Sequence, residues 1–494
     1  MDEQLIQPSP VIIGYTIVFM LVSIAIGWYA NKFAKTAEGF FGGTKMFGGV
    51  VIGLASAAAV MSAFGFIGGP GLVYKFGFTS IWMTIACGPG FAYGYWVIGK
   101  RMRAMADVTD VATLPDIARV RFQSQAVRGI LAIGLCAAAV AYLSSQVKGG
   151  AKLMNQMLGV SEEWGVAIMF GSTLAYMLVS GMSGSILTDA FQGLVMLIGV
   201  FGVIIAYFSM TGGDLSVIMN SPQFGPTFVD GAGAMPFQLV IAFAMIFFIG
   251  VMGQPTMLAK MYSVKSHRDL KVAGILGGCS YGLTSLVWIL VGYGAMWLVA
   301  TGASAPIKDL DKAAFLFVSK TGGVLQGLVM AALLAAIVST ASFFISLASG
   351  ALTRDLAGAL GHEIPVGRQI VIGRYLQIVV MILCIGFGYW GGRAVAILGT
   401  LGWGFFASVT IPTFTMGLLW RRCSREAIIL ALIFAVVANI ACPILENFKI
   451  WRFPFPYYLF TVGGAVIIAT VVSFFTDGAA GKNLPKQMEP VFKL

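Results

Sequence analysis

Charge is scarce in this chain. Of its 494 residues only 10% are Asp, Glu, Lys or Arg, against 58% hydrophobic, whereas a soluble domain carries about 25% charged residues. So few charges cannot clothe a water-facing globule of this size, which excludes soluble enzymes, nucleic-acid binders and secreted scaffolds. Histidine is scarcer still: His267 and His362 are the only two, and both fall between apolar runs. A membrane-embedded transferase wants convergent His, Asp or Glu inside those runs, so this pattern counts against one. The six cysteines, at 87, 136, 279, 384, 423 and 442, lack the paired spacing of a metal site or disulfide framework. They read as small apolar packing residues. The N-terminal stretch opens with Asp2 and Glu3 and has neither a basic region nor a small-residue cleavage site, so the first apolar run is expected to be a retained span.

What the chain has in quantity is long apolar runs, with 63 glycines and 37 phenylalanines. A spanning helix needs about 20 mainly apolar residues. Runs of that length lie near 10–30, 47–73, 78–98, 127–150, 163–182, 185–208, 237–257, 271–300, 322–353, 370–390, 394–420, 424–442 and 457–476. The expected class is therefore an all-α integral membrane protein of about thirteen transmembrane helices. The net charge of +11 reports orientation, because basic residues crowd alternate loops. With the N-terminus outside, twenty fall inside, among them Lys45, Lys100, Arg103, Arg121, Lys260, Lys265, Arg354 and Lys482; eight, including Lys152, Lys308, Lys312 and Arg393, fall outside. The C-terminus is then cytoplasmic and the setting a plasma membrane.

The loops are short, the longest inner one covering about 99–126, so function must lie within the helix bundle. That is the size of a secondary transporter, whose binding site is marked by Gly/Pro-interrupted spans at matching positions of two halves. Span 2 carries Gly65, Gly68, Gly69, Pro70 and Gly71, and span 7, five spans later, carries Gly250, Gly253 and Pro255. Two five-helix units, 47–208 and 237–420, each cross an odd number of times and so must be inverted. Residues 10–30 and 424–476 are then peripheral helices and 477–494 a cytoplasmic tail of one transport domain.

A helix broken inside the bilayer frees backbone carbonyls that need a partner, and a cation is one. The run Ala57-Ala58-Ala59-Val60-Met61-Ser62 offers small residues at which span 2 can open. In span 9, Ser339 and Thr340 stand three and four residues after Ala336, so two hydroxyls and a carbonyl share one face. Hard cations such as sodium take oxygen ligands; alternatively these hydroxyls bond back to carbonyls one turn earlier. Span 4 adds Ser144, Ser145, Gln146 and Lys148. Gln146 suits a carboxylate, hydroxyl or amide, or a neighbouring helix. Lys148, read near the outer end of its span, either snorkels or attracts a carboxylate. Asp189, near the start of span 6, either draws a departing sodium inward or is a helix-start carboxylate favoured by the dipole.

At these residues the sequence resembles the sodium:solute symporter family. The resemblance covers nearly the whole chain, most specifically at 62–77 (SAFGFIGGPGLVYKFG), 146–153 (QVKGGAKL), 189–199 (DAFQGLVMLIG), Gly253-Gln254-Pro255 and 335–340 (AAIVST). It implies a LeuT-like fold of two inverted five-helix repeats, and a sodium ion held by the carbonyls of Ala58, Met61 and Ala336 with the hydroxyls of Ser339 and Thr340. Candidate substrate contacts are Ser62, Phe64, Gln146, Lys148, Gly253 and Gln254, with Asp189 on the ion-release path. The motifs look closest to pantothenate symporters, with monocarboxylate members next; proline-transporting members carry an aspartate where Val60 stands. The expected activity is therefore sodium-coupled symport of a small carboxylate, and the alternative a neutral or zwitterionic solute such as an amino acid or sugar. Expected partners are that solute and the bilayer, with no nucleic acid; an accessory subunit stays open.

Overall fold

The computed structural model describes residues 5–43, 45–390, 395–480 and 486–494. Asp2, Glu3, Arg393 and Lys482, used above for topology, lie outside the described residues.

Every regular element among the described residues is helical. The first, α1 (Pro10–Ala30), starts where Ser9 accepts the Ile12 amide and Pro10 presets the first turn. Next come α2 (Gly49–Val60) and α3 (Gly69–Phe76), joined through a wide π-turn at Phe64–Gly68. Then follow α4 (Ile81–Val97), α5 (Gly99–Val108), α6 (Leu114–Phe122), α7 (Gln125–Leu158) and α8 (Glu162–Thr211). The second half has α9 (Phe237–Phe248), α10 (Pro255–Ser263), α11 (His267–Ala300), α12 (Lys312–Ser319), α13 (Gly323–Gly350), α14 (Val366–Trp390) and α15 (Val395–Thr410). The chain closes with α16 (Arg425–Asn447) and α17 (Tyr457–Ala480).

Nine of the described helices are long and apolar enough to cross a membrane, or ten if the α2 pair, bent by 56°, is one span. The thirteen runs of the sequence are distributed differently for local reasons. Those at 163–182 and 185–208 join in one 50-residue helix that bends at Gly181 (φ 52°, ψ −138°), a conformation only glycine adopts freely, and an added Cβ there would collide with the Phe40 carbonyl. The run at 78–98 forms a 17-residue helix with Pro89 inside it. That at 237–257 is split into a 12-residue and a 9-residue piece.

Helix α13 lies at the centre, with 94% of its most apolar window buried, while α17 has 22% and α1 28%. The outer helices turn Val18, Leu21, Phe460, Ile467 and Phe475 outward, as lipid-facing surfaces do. Around α13 pack α2, α7, α8 and α14, with α11 against α2, α4 and α8. At the basic face the ends of the two broken helices are sewn together: Phe47 forms a parallel bridge with Val264, and the Lys265 amide donates to the Phe47 carbonyl at 2.8 Å.

Several residues expected in solvated loops are instead built in. Arg121 is buried, its Nε donating to the Gly417 carbonyl at 2.6 Å and its Nη2 reaching the carbonyls of Trp420, Arg421 and Cys423, so it serves the free carbonyls at a helix end. Arg128, which lies within the run at 127–150, joins Asp116 and Asp355, both at 2.9 Å. At the opposite face α7 runs to Leu158, eight residues beyond the expected end. Lys152 therefore sits on a helix and pairs with Asp309 at 2.8 Å and Asp311 at 2.9 Å. For the same reason Lys148 is not near a helix end: ten residues follow it, about 15 Å of helix.

Candidate functional site

The first break falls at Met61, whose ψ of 129° turns the chain out of the helix. The last ladder bond of α2 runs from the Met61 amide to the Ala57 carbonyl at 3.0 Å, so the next carbonyls need other partners. They find them on α13. Ser339 Oγ lies 3.0 Å from the Ala58 oxygen and 3.2 Å from the Ala336 oxygen. Thr340 Oγ1 lies 2.9 Å from the Met61 oxygen, 3.3 Å from that of Ala59 and 3.0 Å from that of Ala336. All five predicted ligand residues, Ala58, Met61, Ala336, Ser339 and Thr340, are thus brought together, and all are buried.

The donor count shows what this cluster suits. Each hydroxyl carries one proton, yet between them Ser339 and Thr340 face four different carbonyl oxygens. The Ala336 carbonyl already belongs to the α13 ladder, but two protons still cannot satisfy the three carbonyls freed at the break. The cluster is an oxygen-rich, hydrogen-poor cage of neutral groups, which fits a hard monovalent cation of the kind that oxygen ligands hold.

The donors freed at the break are satisfied from elsewhere. Gln146 Oε1 accepts the Ala63 amide at 2.9 Å and its Nε2 donates to Ser145 at 2.8 Å; the Phe64 amide donates to Ser62 Oγ at 3.2 Å. Gln146 therefore acts here on a neighbouring helix. At the second break the chain leaves α9 through a tight turn at Gly250–Gly253, and Gln254 (φ −73°, ψ 123°) is extended before Pro255 starts α10. Thr410 donates to the Gly253 carbonyl, and Gln254 Nε2 donates back to the Gly250 carbonyl at 3.3 Å and to that of Trp403 at 3.4 Å.

Aromatic rings join the two breaks, and of these the sequence singles out Phe64 alone. Phe64 stacks on Phe247 with centroids 5.5 Å apart, and Phe247 meets Trp403 at 5.0 Å and Trp288 at 5.5 Å. Tyr142 donates to Ser62 Oγ at 2.8 Å and accepts from Trp403 Nε1 at 3.0 Å. Of the predicted substrate contacts, Ser62, Phe64, Gln146, Gly253 and Gln254 belong to this centre. Lys148 does not share the face of Gln146, being two residues and about 200° further round the helix, and it is half-buried.

Asp189 stands eight residues past the kink at Gly181 and is fully buried, so it is no helix-start carboxylate. Its Oδ2 pairs with Lys260 Nζ at 2.8 Å and takes the Ser185 hydroxyl at 3.1 Å; its Oδ1 takes Ser342 at 3.0 Å. Ser342 Oγ is also 3.0 Å from the Ser339 carbonyl, which ties the carboxylate to the ligand helix. Lys260, expected in a solvated loop, is fully buried on α10 and its Nζ also donates to the Ala55 carbonyl at 2.7 Å. A sequence signal existed, for Lys260 is flanked by Met257, Leu258, Ala259 and Met261, a setting in which an ammonium needs a specific partner.

A two-helix crossing of this kind, in a bundle whose paired broken helices flank the centre, defines a secondary transporter. Residues 40–434 match the sodium:solute symporter family, and the chain belongs to it; it is a multi-pass membrane transporter whose coupling ion is sodium, and not an enzyme. Among its relatives, the osmoregulated proline transporter OpuE of Bacillus subtilis is 25% identical over 84% of this chain and 85% of its own. The sodium/pantothenate symporter of Escherichia coli is 26% identical over 86% and 90%, and a sodium/proline symporter of Staphylococcus aureus 28% over 83% and 81%. Of solved structures, a sodium-coupled sialic acid symporter aligns with a TM-score of 0.77 at 17% identity, covering 94% of this chain and 98% of that one. A nucleobase-cation-symport-1 family transporter gives 0.53 at 13% over 90% and 96%. The fold is thus LeuT-like.

Proposed function

We propose that this protein imports a small carboxylate-bearing organic solute, pantothenate-like or a monocarboxylate, together with sodium by alternating access. Sodium loads between α2 and α13 on the carbonyls of Ala58, Met61 and Ala336 and the hydroxyls of Ser339 and Thr340. The observation that carries this is the surplus of carbonyl acceptors over hydroxyl protons at that crossing. A cation there draws the broken α2 onto α13, and because Ser62 and Phe64 follow the break directly, ion binding also shapes the solute site. Coupling requires that sodium favour the substrate-competent state.

A carboxylate is favoured because α10 begins at the centre with Pro255, and a helix N-terminus carries about half a positive elementary charge. The neutral lining of Ser62, Tyr142, Gln146 and Trp403 also supports a second reading, a zwitterion, as do the relatives named for proline. We further assign residues 47–208 and 237–420 to the two inverted repeats, with 10–30 and 424–476 peripheral and the tail 477–494 in the cytoplasm. The N-terminus is then outside and the chain resides in the plasma membrane.

Uptake of labelled pantothenate, acetate, pyruvate, proline and a sugar into proteoliposomes, with and without a sodium gradient, tests both cargo and coupling. Sodium-driven uptake of a carboxylate supports the reading; uptake of proline alone selects the second one. Sodium activation that survives Ser339→Ala with Thr340→Ala removes the site.

A further inference from the structure

A lysine ammonium fully enclosed in a membrane protein core is costly unless its partners are fixed, and here they are fixed by three separate elements. Lys260 Nζ, on α10, lies 2.8 Å from Asp189 Oδ2 on α8 and 2.7 Å from the Ala55 carbonyl on α2, and it stands 5.1 Å from the centre of the Phe343 ring on α13. Its three protons thus meet a carboxylate, a carbonyl and an aromatic face. Ser185 Oγ, 3.1 Å from the same carboxylate oxygen, completes a set of oxygens of the type that holds alkali cations. The ammonium is where such a cation would sit, and Ser342 links its counter-charge to the Ser339 carbonyl beside the ligands of the candidate sodium site.

We propose that Lys260 is the resident cation of this core: it neutralises Asp189 permanently, so that the transport cycle loads a single sodium, at the neighbouring α2–α13 crossing. This rests on the assignment of sodium to that crossing. One consequence concerns energetics. A monoanion moving with one sodium is electroneutral, so the membrane potential does no work on it, and accumulation follows the sodium gradient alone.

Sodium itself is the probe. The purified full-length chain in nanodiscs is titrated with sodium chloride at ionic strength held constant by choline chloride, reading thermal stabilisation and isothermal heat. The wild type is expected to bind with a Hill coefficient near 1. Asp189→Asn leaves the ammonium uncompensated and should weaken sodium at least tenfold, whereas Asp189→Asn with Lys260→Met should return the affinity to within threefold of wild type. Lys260→Met alone bares the carboxylate, which should take a second sodium and raise the coefficient towards 2; folding only at high sodium would show the same gain. If Lys260→Met folds at no sodium concentration, the Asp189→Asn pair of measurements decides. A wild-type coefficient of 2, or equal weakening of Asp189→Asn with and without Lys260→Met, overturns the proposal. Ser339→Ala with Thr340→Ala separates the two claims. Loss of the wild-type response there, without rescue in the Asp189 series, sinks only the resident cation, while an unchanged response sinks the sodium site.

Discussion

The two breaks in this chain solve one problem in opposite ways. At the first, carbonyls freed at Ala58, Ala59 and Met61 are met by two hydroxyls from another helix, α13, which have too few protons for them. At the second, Gln254 folds back on the Gly250 carbonyl within its own segment, and Thr410 covers Gly253. The first break is left with more carbonyl acceptors than hydroxyl protons; the second is closed by amide and hydroxyl donors. A helix break therefore does not carry one fixed chemistry: what it offers depends on whether its freed oxygens outnumber the protons brought to them.

The largest expected effect comes from removing the hydroxyls of the first break. Ser339→Ala with Thr340→Ala should raise the sodium concentration for half-maximal uptake by ~100-fold, equivalent to about 2.7 kcal/mol, while Thr410→Val should move it less than about threefold. Comparable shifts from both would erase the contrast. Next is Gln146→Leu, which strands the buried Ala63 amide and should cost about 1–3 kcal/mol, seen as a lower unfolding temperature. Gln254→Leu is expected near the low end of that range, because its two bonds are longer, at 3.3 and 3.4 Å.

The smallest effect is at the tie where Lys152 holds Asp309 and Asp311. Burial raises the Asp309 carboxyl, but the hydrogen bond and charge of Lys152 outweigh it and hold the group below the ordinary carboxylate value. A depressed carboxylate stabilises above its unfolded pKa and loses that contribution as pH falls through the lower folded one. Asp309→Asn should therefore differ from wild type in thermal stability at pH 7, by less than about 1 kcal/mol because the carboxylate is partly exposed, and the gap should close below about pH 4. A gap that stays constant down to pH 3 would show that packing, not charge, makes the tie.

Much of the first break was legible because its parts are local. Ala57 to Ser62 can open a helix, and the three- and four-residue spacing from Ala336 to Ser339 and Thr340 puts their oxygens on one face whatever lies opposite. Of the aromatic centre only Phe64, close to the break, was legible; Tyr142, Phe247 and Trp403 sit in apolar runs where a ring that lines a site has the same neighbours in sequence as one facing lipid. Lys260 and Lys152 were misplaced for a related reason. Loop and helix were divided by hydropathy, which assigns any basic residue near a run's edge to water, whereas α10 and the last turns of α7 extend past those edges because Asp189 and the pair Asp309 and Asp311 compensate the charge.

What the sequence determined alone was the solvent, the number and rough place of the apolar runs, and the chemistry offered by each break, all of which follow from composition and from spacing within a single helix. Which helices would meet was decided only in three dimensions. Partners 71 residues apart, as Lys260 and Asp189 are, or 281 apart, as Ser339 and Ala58 are, are selected by packing and by the cost of leaving a buried charge or carbonyl unmet, and no local pattern encodes that choice.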